Sequence, residues 1–508
     1  MSYYVTTPIY YVNGEPHLGH VYTTVAADVL ARHMRQRGDD VFFLTGTDEH
    51  GEPVAQAAER EGVAPRELAD RHAERFKAVA ARVNATNDFF IRTSDPEHKA
   101  VVAEVVEKLR ANGHVYEGTY EGWYCPRCAD FKTDAELAEG SRCAIHLIEL
   151  EREKEDNWFF RFSSFQEPLE KLYAENPDWV LPSNRYNEAL AFISGGLQDL
   201  SLSRARINWG VPIPWDPDQV VYVWVDALLN YYSALTYARE GDDLRDRFWP
   251  ASVHVLAKDI LKFHAVIWPA LLMAAELELP KRLFIHGYLL MDEHKMSKSL
   301  GNVLDPFAVM DLYGTDALRF YLLREVSFGQ DGSISPESFE KRYTTELANE
   351  YGNLASRTLA MIAKYRDGVV PEVEPAAELV ADFDGLGGLV SNHLDRVDAS
   401  LALEEIWQRV RRLNRFVTQA EPWTLAKDDA QAERLDSVLY TLAEGLRVVS
   451  VLLYPWMPDS VKRLLAALGR EDLGLERATL GADGGGARIG DLDQLFPRVE
   501  APEPSTAA

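Results

Sequence analysis

The sequence is short of cysteine, of positive charge and of long apolar runs, and each shortage excludes something. Three cysteines in 508 residues, all between positions 125 and 143, make no disulfide framework. An odd, clustered count fits a reduced compartment and a metal site. Against 53 Lys and Arg stand 80 Asp and Glu, a formal charge of −27. That excludes generic whole-surface binding to nucleic acid and leaves only a specific, local surface for such a partner. The longest apolar run, Ala265 to Ala275, is too short to span a bilayer. The first residues carry neither the basic segment nor the apolar core of a signal peptide. A soluble cytoplasmic protein is the expectation. No internal repeat is visible.

With 46% hydrophobic and 26% charged residues, the chain is ordinary globular material. Its length calls for about two to four domains. Residues 1–112 alternate strand-like and helix-like runs, which predicts a Rossmann-like parallel sheet with helices on both faces. Ligands on such sheets bind beyond the carboxyl ends of the strands, where the turns at 11–20 and 45–51 fall. Residues 113–219 change to short strands, turns and the cysteine cluster, and read as an insertion. The α/β pattern resumes over 220–290, with strands expected at Val220–Asp226, Val253–Asp259 and Leu283–Leu289. A loop and linking segment covers 291–345. Helical periodicity dominates 346–480, notably at Leu401–Ala420 and Leu435–Leu453, and predicts an α-helical bundle. The Gly-rich and Pro/Ala-rich stretch 481–508 reads as a poorly ordered tail.

Two stretches carry phosphate chemistry. His17-Leu18-Gly19-His20 follows a β-branched, aromatic run and the turn signals Asn13-Gly14 and Pro16, and opens a helical pattern from Val21 to Arg37. Unpaired N–H groups and the positive dipole end make a helix N-terminus an anion site. The two imidazoles add ring donors, and Gly19 removes a side chain. Near the middle, Lys295-Met296-Ser297-Lys298-Ser299 is a compact cluster of cations and hydroxyls. Taken together they predict a triphosphate held by the imidazoles from one side and by the lysine loop from the other.

Cys125-Pro126-Arg127-Cys128 and Cys143-Ala144-Ile145-His146 are two half-knuckles separated by fourteen residues. Cys125, Cys128, Cys143 and His146 make a closed tetrahedral set suited to one structural Zn²⁺, with no position left for a catalytic water.

At this point the chain resembles class I aminoacyl-tRNA synthetases, whose two signatures match 17–20 and 295–299, and within them the methionyl-tRNA synthetase family. Pro8 to Gly14, Gly46-Thr47-Asp48-Glu49-His50-Gly51, Val223 to Ala227, Lys258-Asp259-Ile260 and Asn353 to Arg357 carry the finer likeness, up to about residue 470. The resemblance implies a catalytic domain in two halves and an anticodon-binding helical bundle. His17, His20, Lys295 and Lys298 are then catalytic, and Gly19 and Ser297 join them in binding ATP with Mg²⁺. Ile9, Tyr11, Trp224, Ala227, Leu228, Tyr231, Ile260, His264 and Trp268 line a methionine site, where aromatic walls suit a thioether. Asp48 pairs with the substrate ammonium. Asn353, Arg357 and Trp423 read the anticodon of initiator and elongator tRNA(Met), Arg357 lying one helical turn after Asn353. A monomer is expected. Three other readings are a class I synthetase for leucine or valine, a zinc-knuckle nucleic-acid-binding module, and a nucleotidyltransferase without tRNA. The first usually carries an editing insertion larger than 113–219 has room for. The intact His17, His20, Lys295 and Lys298 count against the second, and Asn353, Arg357 and Trp423 against the third.

Overall fold

The β-branched and aromatic run at the start of the chain forms the strand β1 (Ser2–Tyr11), from which Tyr4, Val5, Thr6 and Thr7 are fully buried. The computed structural model describes residues 1–125, 130–132, 137–144, 147–291 and 305–498. These divide into two units. One comprises Ser2–Ala27 and Val41–His286, the other Met1, Asp28–Asp40 and the described residues from Gly287 on.

In the first unit β1 joins β2 (Asp40–Asp48), β3 (Phe89–Arg92), β4 (Val180–Leu181), β5 (Val253–Ala257) and β6 (Leu283–His286) in a six-stranded sheet of order β3-β2-β1-β5-β6-β4. β2 runs parallel to β3, β1 to β5, β5 to β6, and β6 to β4. Parallel strands need covered faces and so read as continuous apolar runs. Val41, Phe42, Phe43 and Leu44 are accordingly all buried. The helix α1 (Leu18–Gln36) follows β1, α2 (Glu52–Glu61) and α3 (Pro65–Arg82) follow β2, and α4 (Pro96–Ala111) follows β3. Gly46 has a steric reason: a Cβ there would collide with the backbone carbonyl of Ile91 on β3.

Two expectations are corrected in this unit. Val220–Asp226 is not a strand of the main sheet. Asp216–Val221 is the middle strand of a separate antiparallel sheet with Ser203–Arg204 and Pro212–Ile213, and a helix begins at Val223 (α5, Val223–Leu228). The apolar run cannot distinguish strand from helix by itself. The buried hydrogen bonds of Asp226 to His50 and His98 accompany the helical form. Conversely, β4 comes from the segment read as an insertion, yet it forms an edge of the main sheet. The rest of that segment builds a long antiparallel hairpin, Val115–Cys125 against Glu151–Phe160, paired from Val115↔Phe160 to Tyr124↔Glu151.

The second unit is mostly helical, including Thr315–Glu325, Asn353–Arg366, Ala399–Ala420, Ala432–Leu453 and Pro458–Ala467. The one pairing of strands it shows among the described residues is Leu289–Met291 with Gly332–Ile334. No described helix is long and apolar enough to cross a membrane. The stretch from 481, whose composition suggested poor order, is docked at its start. Val370 N–H donates to the Ala487 carbonyl and Gly486 N–H to that of Val370, both at 2.9 Å, and Phe496 packs near Tyr343 and Tyr351. Glycine allows the close approach: at Gly485, with φ +83°, a Cβ would strike the Pro371 carbonyl. Residues 499–508 lie outside the described residues.

At the centre of this unit Asp28, fully buried, accepts from Arg32 Nε and Arg319 Nη2, each at 2.7 Å. Arg319, also fully buried, further donates to the carbonyls of Pro455 and Trp456 at 2.6 and 3.1 Å. Removing one partner of such a pair leaves an uncompensated charge in low dielectric and costs about 3–5 kcal/mol. Asp28→Asn is therefore expected to lower stability by about that amount, read as a shift in the urea midpoint at unchanged slope.

Candidate active site

β1 and β2 deliver their ends together, since Val12 N–H donates to the Asp48 carbonyl at 3.3 Å. Beyond β1 the turn leads to His17, exposed, and His20, half-buried, at the start of α1. Their rings stack with centroids 3.7 Å apart. His17 N–H donates to His20 Nδ1, and Gly19 N–H donates to His17 Nδ1, each at 3.1 Å. Both Nδ1 atoms are thus acceptors, so each neutral ring carries its proton on Nε2. Burial lowers the pKa of His17, partly opposed by Asp259, and burial with the neighbouring His17 lowers that of His20 to about 3. At neutral pH the pair presents two uncharged Nε2–H donors beside a helix N-terminus. Gly19 serves this arrangement differently from the expectation: a Cβ would meet His17's own imidazole at 3.0–3.1 Å. Tyr10 and Phe76 pack against His20 at 4.6 and 5.1 Å.

Beyond β2 lies Asp48-Glu49-His50, three ionisable residues each with a different environment. Glu49, fully buried, takes a bidentate contact from Arg92 Nε and Nη2 at 2.6 and 2.9 Å and a hydrogen bond from Thr47 at 2.7 Å. His50 Nδ1 lies 2.6 Å from Asp226 on α5. Asp48 has no such cation among the described residues. Burial and then the Asp226 charge push its carboxyl well above the usual carboxylate range; the His50 backbone N–H and the nearby Tyr11 hydroxyl pull it back. Tyr11 Oη, Asp48 Oδ1, His50 Nε2 and Trp224 Nε1 are all buried without a hydrogen-bond partner among the described residues. Buried polar groups are ordinarily satisfied, so the neighbouring Tyr11 hydroxyl and Asp48 carboxylate make a candidate place for a polar ligand.

The residues assigned by resemblance to a methionine site lie on the ends of β1, β2 and α5, on the helix Asn230–Tyr237 and on the segment after β5. Tyr11 meets Trp224 edge-on at 6.3 Å, and Trp224 stacks on Phe263 at 3.7 Å and 8°. Tyr231 packs near His264 and Trp268, with centroids at 5.7 and 6.0 Å. His264 Nδ1, 3.0 Å from the Ile260 carbonyl, must donate to it, which makes Nε2 the acceptor of the Tyr231 hydroxyl at 2.8 Å. Burial lowers the His264 pKa to about 4, consistent with a neutral ring. Ala227, Leu228 and Trp268 are buried, while Ile9 and Ile260 are half-buried against the same core. Sequence reading did not single out Phe263, His50, Asp226 or His98 as candidate site residues; the motifs at 46–51 and 223–227 were the available signals for His50 and Asp226.

Of the proposed metal ligands, Cys125 and Cys143 are fully buried in one small cluster with Leu150. The Leu147 N–H donates to the Cys143 carbonyl at 2.8 Å. Cys128 and His146 lie outside the described residues, as do Lys295, Ser297 and Lys298. Among the described residues no three His, Cys, Asp or Glu converge as a metal site. In the second unit Asn353 opens its helix, one turn before Arg357, whose guanidinium lies 5.9 Å over the ring of Trp423. That indole is 38% exposed.

The tautomers are testable. In protein labelled with ¹⁵N-histidine, the His20 ring is expected to show the neutral Nε2–H pattern at pH 7 and no protonation down to about pH 4, far below the ordinary value near 6.5. Assignment by a His20→Asn variant checks the resonance.

Comparison with known proteins fits this arrangement. The family model for tRNA synthetases class I (M) matches residues 3–143 and 135–359. A methionine-tRNA ligase of Caldanaerobacter subterraneus subsp. tengcongensis is 45% identical over 98% of this chain and 79% of its own length. One from Streptomyces coelicolor is 44% identical over 98% of this chain and 97% of its own length. A structure of Mycobacterium tuberculosis methionyl-tRNA synthetase in complex with methionyl-adenylate superposes with a TM-score of 0.92 at 42% identity, covering 98% of this chain and 100% of that one. Signatures, parallel sheet and full-length similarity agree: the chain belongs to the methionyl-tRNA synthetase family of class I tRNA synthetases.

Proposed function

We propose that the chain is a methionine-tRNA ligase that activates L-methionine with ATP and passes the methionyl group to tRNA(Met), initiator and elongator alike, in the cytoplasm and as a monomer. The observation that carries the reading is the buried Asp48 carboxylate, one oxygen unpaired, beside an open Tyr11 hydroxyl and an indole–phenyl wall. A primary ammonium supplies the missing charge and donors. A thioether chain suits the rings of Tyr11, Trp224, Tyr231, His264 and Trp268, with Ile9, Ala227, Leu228 and Ile260 completing an apolar lining.

Activation then needs no general base. The methionine carboxylate, already ionised, attacks the α-phosphorus of ATP; a P–O bond forms as the bond to the bridging oxygen breaks and pyrophosphate departs. What the protein supplies is position and charge stabilisation. His17 and His20 donate from neutral Nε2–H groups to phosphate oxygens, Gly19 keeps the His17 ring in place, and Lys295, Ser297 and Lys298 take the growing pyrophosphate charge. Mg²⁺ accompanying ATP would offset part of that charge. In the second step the terminal ribose hydroxyl of tRNA attacks the activated carbonyl and AMP leaves. Asn353, Arg357 and Trp423 are assigned to anticodon bases, for which an exposed indole under a guanidinium is a suitable stacking platform.

Cys125, Cys128, Cys143 and His146 are assigned one structural Zn²⁺. Among the described residues, two buried thiols that share a small cluster with buried Leu150 fit that role, because so small a core needs a staple.

Amino-acid-dependent ATP–pyrophosphate exchange tests the reading: exchange with methionine alone among the twenty standard amino acids is the expected result, from protein carrying about one zinc per chain. Exchange driven by another amino acid removes the pocket assignment. Lys298→Ala is expected to cut the exchange rate by about 100-fold or more while methionine affinity stays within about threefold. Equal losses in both would make Lys298 a binding or folding residue.

A further inference from the structure

Segments that carry proposed methionine-site residues are tied together by buried polar side chains that take no part in the steps above. Asp226 lies on α5 between Trp224 and Ala227 and is fully buried. Its Oδ2 is 2.6 Å from His50 Nδ1 and its Oδ1 is 2.8 Å from His98 Nε2. His98 Nδ1 lies 2.6 Å from the Ser233 hydroxyl. His50 follows Asp48 by two residues, Ser233 follows Tyr231 by two, and His98 comes from α4.

The proton directions follow from the geometry. The Asp226 carboxylate can only accept, so each imidazole must offer it an N–H; in a neutral His98 ring Nδ1 is then the acceptor, and the Ser233 hydroxyl 2.6 Å away is its donor. His98 therefore donates from Nε2 to Asp226, and His50 donates from Nδ1 to the other oxygen of the same carboxylate. The relay runs from Ser233 to His98 to Asp226, met from the other side by His50.

We propose that this relay is a positioning device for the ammonium site: it holds the Asp48 turn against the helix bearing Trp224 and Ala227, and it keeps a second carboxylate charged beside Asp48 so that the pocket favours a primary ammonium. The inference rests on the methionine reading given above. A buried carboxylate stays ionised only where donors hold it. Despite burial, His50 and His98 bring the Asp226 pKa down to about 2. That charge is felt by both Tyr11 and Asp48. Two carboxylates with too few hydrogen bonds between them leave a deficit that a cation with three donors fills. The geometric role is as strong. A binding group works only when its neighbours fix it, and a misplacement of about 1 Å costs about 100-fold.

Asp226→Asn keeps the shape, removes the charge and turns an amide N–H₂ toward one of the two imidazole donors. Ser233→Ala acts from the far end, leaving the Asp226 charge in place while His98 loses its donor. In methionine-dependent exchange, Asp226→Asn is expected to raise the methionine KM and the inhibition constant of methioninol by about 10- to 100-fold, and Ser233→Ala by about 2- to 5-fold, with the ATP KM within about twofold. Unchanged methionine and methioninol constants in Asp226→Asn overturn the inference. So does a loss shared equally by methionine and ATP together with a fall in thermal stability, which is what a merely structural network would give. Should Asp226→Asn not fold, Ser233→Ala decides between the two by the same split. Absence of methionine-driven exchange in the unaltered protein would instead fail the functional reading itself.

Discussion

A carboxylate taken out of water and left one partner short is the interaction on which the first unit turns. Asp48 is 2% exposed and carries an oxygen with no hydrogen-bond partner among the described residues. Isolated ionised groups are costly to bury, and proteins ordinarily pair them or let them take a proton. Its two neighbours in the chain show the ordinary solution. Glu49 is clamped by Arg92, and His50 is bonded to Asp226. Of three successive residues at the end of β2, Glu49 is held by a cation and His50 by a carboxylate through Nδ1, while Asp48 has no such charged partner among the described residues. The sheet makes this possible: tight contact at Gly46 and the bond from Val12 to the Asp48 carbonyl fix where the carboxylate emerges.

The phosphate side follows a different logic. Cationic imidazoles are the obvious partners for a triphosphate, yet the Nδ1 atoms of His17 and His20 are already occupied by backbone N–H donors, and burial disfavours protonation. The rings offer directional, neutral donors whose orientation is set by the backbone. In the proposed reading positive charge is left to the lysines at 295 and 298. Such a division suits a reaction in which negative charge migrates during the step: fixed neutral dipoles stabilise it without locking the ground state in place.

Much of the parallel sheet was legible because buried parallel strands favour apolar runs, and the apolar run at 41–44 and the largely apolar stretch at 253–257 supply them. The long helices Ala399–Ala420 and Ala432–Leu453 were legible from their periodicity. Where local pattern failed, tertiary demand decided. Val220–Asp226 has the composition of a strand, but its last residues form a helix in which Asp226 meets two histidines from distant segments. The stretch from 481 has the composition of a tail, but its glycines allow close backbone contact near Pro371. Networks such as His50–Asp226–His98 join residues 176 and 128 positions apart. No spacing rule in a single sequence joins them; the motifs at 46–51 and 223–227 each hold one member without showing that the two meet.

The claim that Asp48 is a buried carboxylate awaiting an ammonium is tested most directly by proton linkage. Methioninol, which has the ammonium but no carboxylate of its own, would be titrated calorimetrically from about pH 4.5 to 7 in buffers of different ionisation enthalpy. The Asp48 pKa is raised in the free protein, and a bound ammonium lowers it again. Between those two values binding must therefore release a proton, and affinity must rise with pH. Release of up to one proton in the unaltered protein, absent from Asp48→Asn, is the predicted result. Affinity and proton count that stay flat across the range would contradict the account.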